Sequence, residues 1–115
     1  MSMNYVEIAE MVSAAAQAAG CPLTYYQWPP GRAPEPPYIL FYYPYRDDFP
    51  ADGRNYGKIT ALRIELYTDE KDFVAEAAVE GVLERCGMVY GKNESYIDDE
   101  HMFEVLYDME VMINA

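Results

Sequence analysis

The chain has 115 residues, twenty of them acidic and eight basic, for a net charge of −12. With 51% hydrophobic and 15% aromatic residues it excludes a disordered chain, and a single domain over residues 1–115 buries roughly two thirds of its unfolded surface. The charge excludes a broad basic face for nucleic acid or anionic lipid, so the expected partners are neutral, basic or protein.

From Tyr5 to Ala19 the apolar residues Tyr5, Ile8, Val12, Ala15, Ala16 and Ala19 recur at spacings of three and four, with Glu7, Glu10, Ser13 and Gln17 opposite. This predicts an amphipathic helix. Asn4 and Glu7 have the spacing of a capping box, and Gly20 followed by Pro22 supplies the stop. No basic stretch precedes the helix, so no secretory signal is expected. The uncharged run from Met11 to Gly31 is broken by Gly20, Pro22, Pro29 and Pro30 and does not read as a membrane span. The expected location is cytoplasmic. Cys21 and Cys86 lie far apart without a CxxC or a nearby histidine, and read as small buried thiols rather than a zinc site or a disulfide framework.

Thr24–Trp28 reads as a short strand, and Pro29–Pro37, holding five of the eight prolines, as a stiff connector. Tyr38–Tyr45 and Lys58–Thr68 read as strands, the second with Leu62, Ile64 and Leu66 on one face and Ala61, Arg63, Glu65 and Tyr67 on the other. Thr68 or Asp69 is the expected cap of a helix that runs to about Cys86 and ends at Gly87. Its apolar stripe is Val74, Ala75, Ala78, Val79, Val82, Leu83 and Cys86, with Glu76, Glu80 and Glu84 on a solvated outer face. Met88–Ile97 and Met102–Ile113 follow as strands, the last alternating Phe103, Val105, Tyr107, Met109, Val111 and Ile113 with polar positions. The expected fold class is α+β: an antiparallel sheet of about four strands carrying two helices on one face, in the order α-β-β-β-α-β-β.

Between the two central strands, DDFPADG at Asp47–Gly53 invites comparison with a calcium loop. Counted from Asp48, the third position is Pro50 and the twelfth Ile59, so two required oxygen ligands are missing and no metal is expected. Asp52-Gly53 reads instead as hairpin turn chemistry. Asp98, Asp99 and Glu100 beside His101 read as a solvated turn, because adjacent turn residues do not converge on one point. Nucleophile elbows, phosphate loops, dinucleotide fingerprints and zinc motifs are absent from the sequence, so neither an enzyme nor a cofactor is expected. An acidic mimic of DNA that blocks a nucleic-acid enzyme is the alternative that the charge suggests, but the acids are scattered over one helix face, a strand face and two loops.

FPADGRNYGKITALRIELYTDEKDF, with the later YIDDEHMFEVLYDMEV, resembles the tail-completion or tail-terminator proteins of long-tailed phages and prophages of Gram-positive bacteria. The matching features are the hairpin tip at Phe49–Gly53, the strand end at Glu65–Asp69, Lys71-Asp72 before the second helix, and the acidic hairpin within Ile97–Glu110. The resemblance implies a non-enzymatic structural subunit. It would form a homo-oligomeric ring, such as a hexamer, on the end of the tail tube and join it to head-connector proteins. It would be made in the host bacterial cytoplasm and end in the virion tail. On that reading the loop Arg46, Asp47, Asp48, Phe49, Arg54, Asn55 and Tyr56 is the contact element, since arginine and aromatic side chains are enriched at interface centres. Its arginines are expected to meet Glu76, Glu80 or Glu84 of a neighbour.

Overall fold

A computed structural model describes residues 2–114, the side chains of Asn55 and Tyr56 excepted. In chain order the elements are β1 (Ser2–Met3), α1 (Tyr5–Ala19), β2 (Leu23–Tyr25), β3 (Tyr38–Tyr42), β4 (Phe49–Ala51), β5 (Arg54–Thr68), α2 (Phe73–Arg85), β6 (Gly91–Ile97) and β7 (Met102–Ile113). A 3₁₀ turn at Asp98–Glu100 joins β6 to β7.

Helix α1 has the expected limits, because both of its ends are closed by local chemistry. The Glu7 amide donates to the Asn4 side chain (2.8 Å), and the Asn4 amide donates to the Glu7 carboxylate (2.9 Å). Gly20 then takes the left-handed conformation (φ 69°) that ends the helix. Helix α2 is capped by Asp72, whose carboxylate accepts from the Ala75 amide at 2.9 Å, and not by Thr68 or Asp69. Thr68 is unavailable because it is the last residue of β5, in register with Phe103.

The sheet is mixed and has seven strands, which corrects the expectation of about four antiparallel strands. Its centre is antiparallel: β5 lies between β3 and β7, and β6 continues beyond β7. Both flanks carry short parallel pairings, β2 on β3 and β1 on the far end of β7. The two-residue β1 leaves too little periodicity to read from sequence, and β2 occupies Leu23–Tyr25 rather than the expected Thr24–Trp28. Both helices pack on one face, as expected.

Period two decides that face. Ile39 and Phe41, Leu62, Ile64 and Leu66, and Val105, Tyr107, Met109 and Val111 are all buried in one core with Ile8, Met11, Val12, Ala15 and Ala16 of α1 and Ala75, Val79, Val82 and Leu83 of α2. The register aligns them across the strands, Leu66 with Ile39 and Val105, Ile64 with Phe41 and Tyr107. Val74, placed in the apolar stripe by its spacing, is instead exposed.

The outer face of α2 also departs from expectation. Glu76 is buried, 2% exposed, because β6 brings Lys92 over it (2.8 Å) and the turn before the helix brings Lys71 (2.7 Å). Lys92 also pairs with Glu80 (2.7 Å), which accepts from the Tyr107 hydroxyl at 2.7 Å, while Lys71 pairs with Glu94. Of the three glutamates only Glu84 is exposed, and it accepts from the Tyr90 hydroxyl (2.9 Å).

Candidate interaction site at the protruding hairpin

Strand β5 outruns its neighbours. Its second half is sheathed on both sides, whereas Arg54–Gly57 pair with β4 alone and form a hairpin. The molecule measures 50 × 30 × 22 Å, and its radius of gyration of 15.1 Å exceeds the about 13 Å usual for this length.

The base of the hairpin is fixed by hydrogen bonds that the sequence places close together. Arg46 bridges to Thr60, the Asp47 amide donates to the Ile59 carbonyl (2.8 Å), and the Ala61 amide donates to the Tyr45 carbonyl (2.9 Å). Arg46 donates twice to Asp48, each at 2.7 Å, and the Ile59 amide donates to the same carboxylate at 3.2 Å. Asp48 is therefore a structural acceptor. Arg46 is thus paired within its own chain, as are Glu76 and Glu80, the glutamates expected to meet it from a neighbour.

The tip follows the turn chemistry read from sequence. Ala51 pairs with Arg54, and between them Asp52 (φ 51°) and Gly53 (φ 76°) both adopt positive φ, the type I′ pattern that matches the twist of the strands. Below the tip Phe49 lies across Gly57, where an added Cβ would come within 3.2 Å of the Phe49 Cβ. Phe49 is 62% exposed, and Asp47 and Arg54 are exposed beside it. The structure thus brings Arg46, Asp47, Asp48, Phe49 and Arg54 onto one projection; the side chains of Asn55 and Tyr56 lie outside the described residues.

Charge sets this projection apart. Between Arg46 and Lys58, three bases balance three acids, so the whole −12 resides in the rest of the chain. A neutral projection approaches another acidic copy without the repulsion that two bodies meet.

The sheet face opposite the helices carries polar groups that sequence reasoning did not single out. Arg63 donates to both oxygens of Asp108 (2.7 and 3.1 Å). The Tyr67 hydroxyl sits between Glu65 (2.7 Å) and Glu104 (2.6 Å), and Tyr42 donates to Glu65 (3.2 Å). Burial, and then the flanking carboxylates, push the Tyr67 hydroxyl far above the ordinary tyrosine value. Next to this network the sheet forms a cleft lined by Pro44, Tyr45, Ala61, Arg63, Val89, Asp108, Met109 and Glu110. Its signal in the sequence is weak, because the lining comes from four separate segments.

Among the described residues no three His, Cys, Asp or Glu side chains converge on a point that would hold a metal ion, and no helix is long and apolar enough to cross a membrane. His101 is exposed at the left-handed end of the acidic turn (φ 52°).

No family model and no curated protein matches the chain. Among solved structures the fold is similar to a chain in the virion of a native gene transfer agent (GTA) particle, with a TM-score of 0.66 and 16% identity. The superposition covers 91% of this chain and 90% of that one, so the likeness is one of whole fold.

Proposed function

We propose that the protein is a structural subunit of a phage-like virion, and within it a tail-completion or tail-terminator subunit that assembles as a homo-oligomeric ring on the tail tube and joins it to the head connector. The observation that carries the coarser reading is the near end-to-end fold likeness to a chain of a gene transfer agent virion. Support for the finer reading comes from the sequence resemblance at LYTDEKD and the acidic last hairpin, and from a neutral, rigidly based hairpin projecting from an acidic body. Such a projection serves contact between subunits rather than chemistry.

The DNA-mimic alternative loses support because several carboxylates are engaged internally. Glu76, Glu80 and Glu94 hold lysines, Asp108 holds Arg63, and Glu65 and Glu104 hold tyrosine hydroxyls, on both faces of the sheet. Most of the other acids are spread along the chain over α1, the hairpin, the turn before α2 and the turn before β7.

Electron microscopy of the purified protein mixed with polymerised tail tubes tests the reading. A ring of subunits seated at one tube end is expected. Decoration along the tube wall, or no binding to tubes at all, would refute the terminal role.

A further inference from the structure

The cleft opposite the helices has uncovered apolar walls and an unanswered charge. Val89 is 89% exposed and Tyr45 57%, on either side of a floor that contains Ala61. Asp108 is neutralised by Arg63, but Glu110 beside it is exposed and, among the described residues, has no ion pair or hydrogen bond from a side chain. A segment that fits here brings an apolar or aromatic anchor together with a cation.

The hairpin has that chemistry. Phe49 is exposed, and Arg54 and Lys58 are exposed on the strand facing it. It cannot turn back into its own cleft, because Tyr45 stands at its base and the Arg46–Thr60 bridge and Asp48 hydrogen bonds hold the strands as a continuation of the sheet. We infer that the cleft of each subunit receives the β4–β5 hairpin of a second copy, with Phe49 against Tyr45 and Val89 and a basic residue of the hairpin facing Glu110. The contact joins two different surfaces, so it repeats head to tail and closes into a ring where the rotation per subunit allows. It rests on the ring assembly proposed above and names the receiving surface.

Cross-linking between differently marked chains tests it. In a Cys21→Ser, Cys86→Ser background, Ala51→Cys chains, labelled on the hairpin beside Phe49, are mixed with Pro44→Cys chains, labelled on the cleft wall, in high salt and treated with a short bis-maleimide. Covalent dimers containing one chain of each kind are expected, with few from either chain alone. Oligomers that scatter light but yield no mixed dimer, or only 51–51 or 44–44 dimers, overturn the inference while leaving ring formation intact. Protein that stays monomeric at every salt and on tail tubes removes ring formation and the inference together. As a second arm, Glu110→Lys alters an exposed side chain, so its melting curve should be preserved while self-association weakens about tenfold. Unchanged association in that variant contradicts the inference.

Discussion

The two halves of β5 are one continuous strand under opposite constraints. Within Ala61–Thr68, paired throughout with β7 and over Arg63–Tyr67 also with β3, all residues but Arg63 are buried. Arg54–Gly57 is flanked by a three-residue strand and projects from the body. Ala61–Thr68 is held by apolar contacts on one face and tyrosine–carboxylate hydrogen bonds on the other; Arg54–Gly57 is held by a turn, a proline-bearing partner strand and one bidentate ion pair. The difference teaches that the chain invests its apolar packing in the body and shapes the projection by turn geometry and the polar bonds at its base. Substitutions in the body should therefore unfold the protein, and substitutions in the projection should spare the fold.

The largest effect is expected from Val105→Asp. Val105 is fully buried opposite Leu66, and a carboxylate there has no partner, so the domain should lose more than about 4 kcal/mol and fail to fold by circular dichroism. A cooperative melt near that of the parent would place the core on the wrong face of β7.

Next comes the lysine pair over α2. Lys71→Met with Lys92→Met leaves Glu76 buried without a cation and should cost about 3–5 kcal/mol in a denaturant melt. Adding Glu76→Leu should recover most of that loss, since an apolar triad of similar size needs no charge balance. No recovery in the triple variant would mean that the lysines act through packing on their stems.

A smaller effect follows from pH. Burial disfavours the charged form of Glu80, but the hydrogen bonds from Lys92 and Tyr107 outweigh it, and the carboxyl titrates below its ordinary value of 4.5. A depressed folded value means the stabilisation is complete above the unfolded value and disappears as pH falls through the folded one. The melting midpoint should thus drop as the pH falls below 4.5, and the drop should be shallower in Tyr107→Phe. Equal slopes in the two proteins would remove Glu80 from the account.

These contrasts also mark what was legible in the sequence. Helix α1 and strand β7 were readable to the residue because each carries an uninterrupted period and local end signals, Asn4 with Glu7 and Gly20 for the helix, alternation from Met102 for the strand. The Asp52-Gly53 turn was readable because its chemistry is local. The burial of Glu76 was not, since it depends on β6 folding over α2; the one hint is that Lys92 and Glu94 share a face two residues apart. Strands β1 and β4, with two and three residues, have no period to read, and the parallel edges follow from tertiary pairing alone. The hairpin residues proposed as the contact were singled out by type and loop chemistry, while the cleft was not legible because its lining is gathered from distant segments.

Between bodies that carry the whole −12, association should strengthen as salt rises from about 0.01 M, where screening reaches roughly 30 Å, to about 0.5 M, where it is under about 5 Å. Light scattering across that series checks it. A mimic bound to a basic enzyme would show the reverse trend.

The smallest effect on stability and the largest on assembly are expected from the same variant. Phe49→Ala, Arg54→Ala and Tyr56→Ala together alter only the projection, so the melting midpoint should move by no more than about 3 °C. In a phage complementation assay this folded variant should give tubes of abnormal length or tails that never join heads. Normal infectious particles from the triple variant would show that the hairpin is a solvated tip and that the division of labour along β5 has no part in assembly.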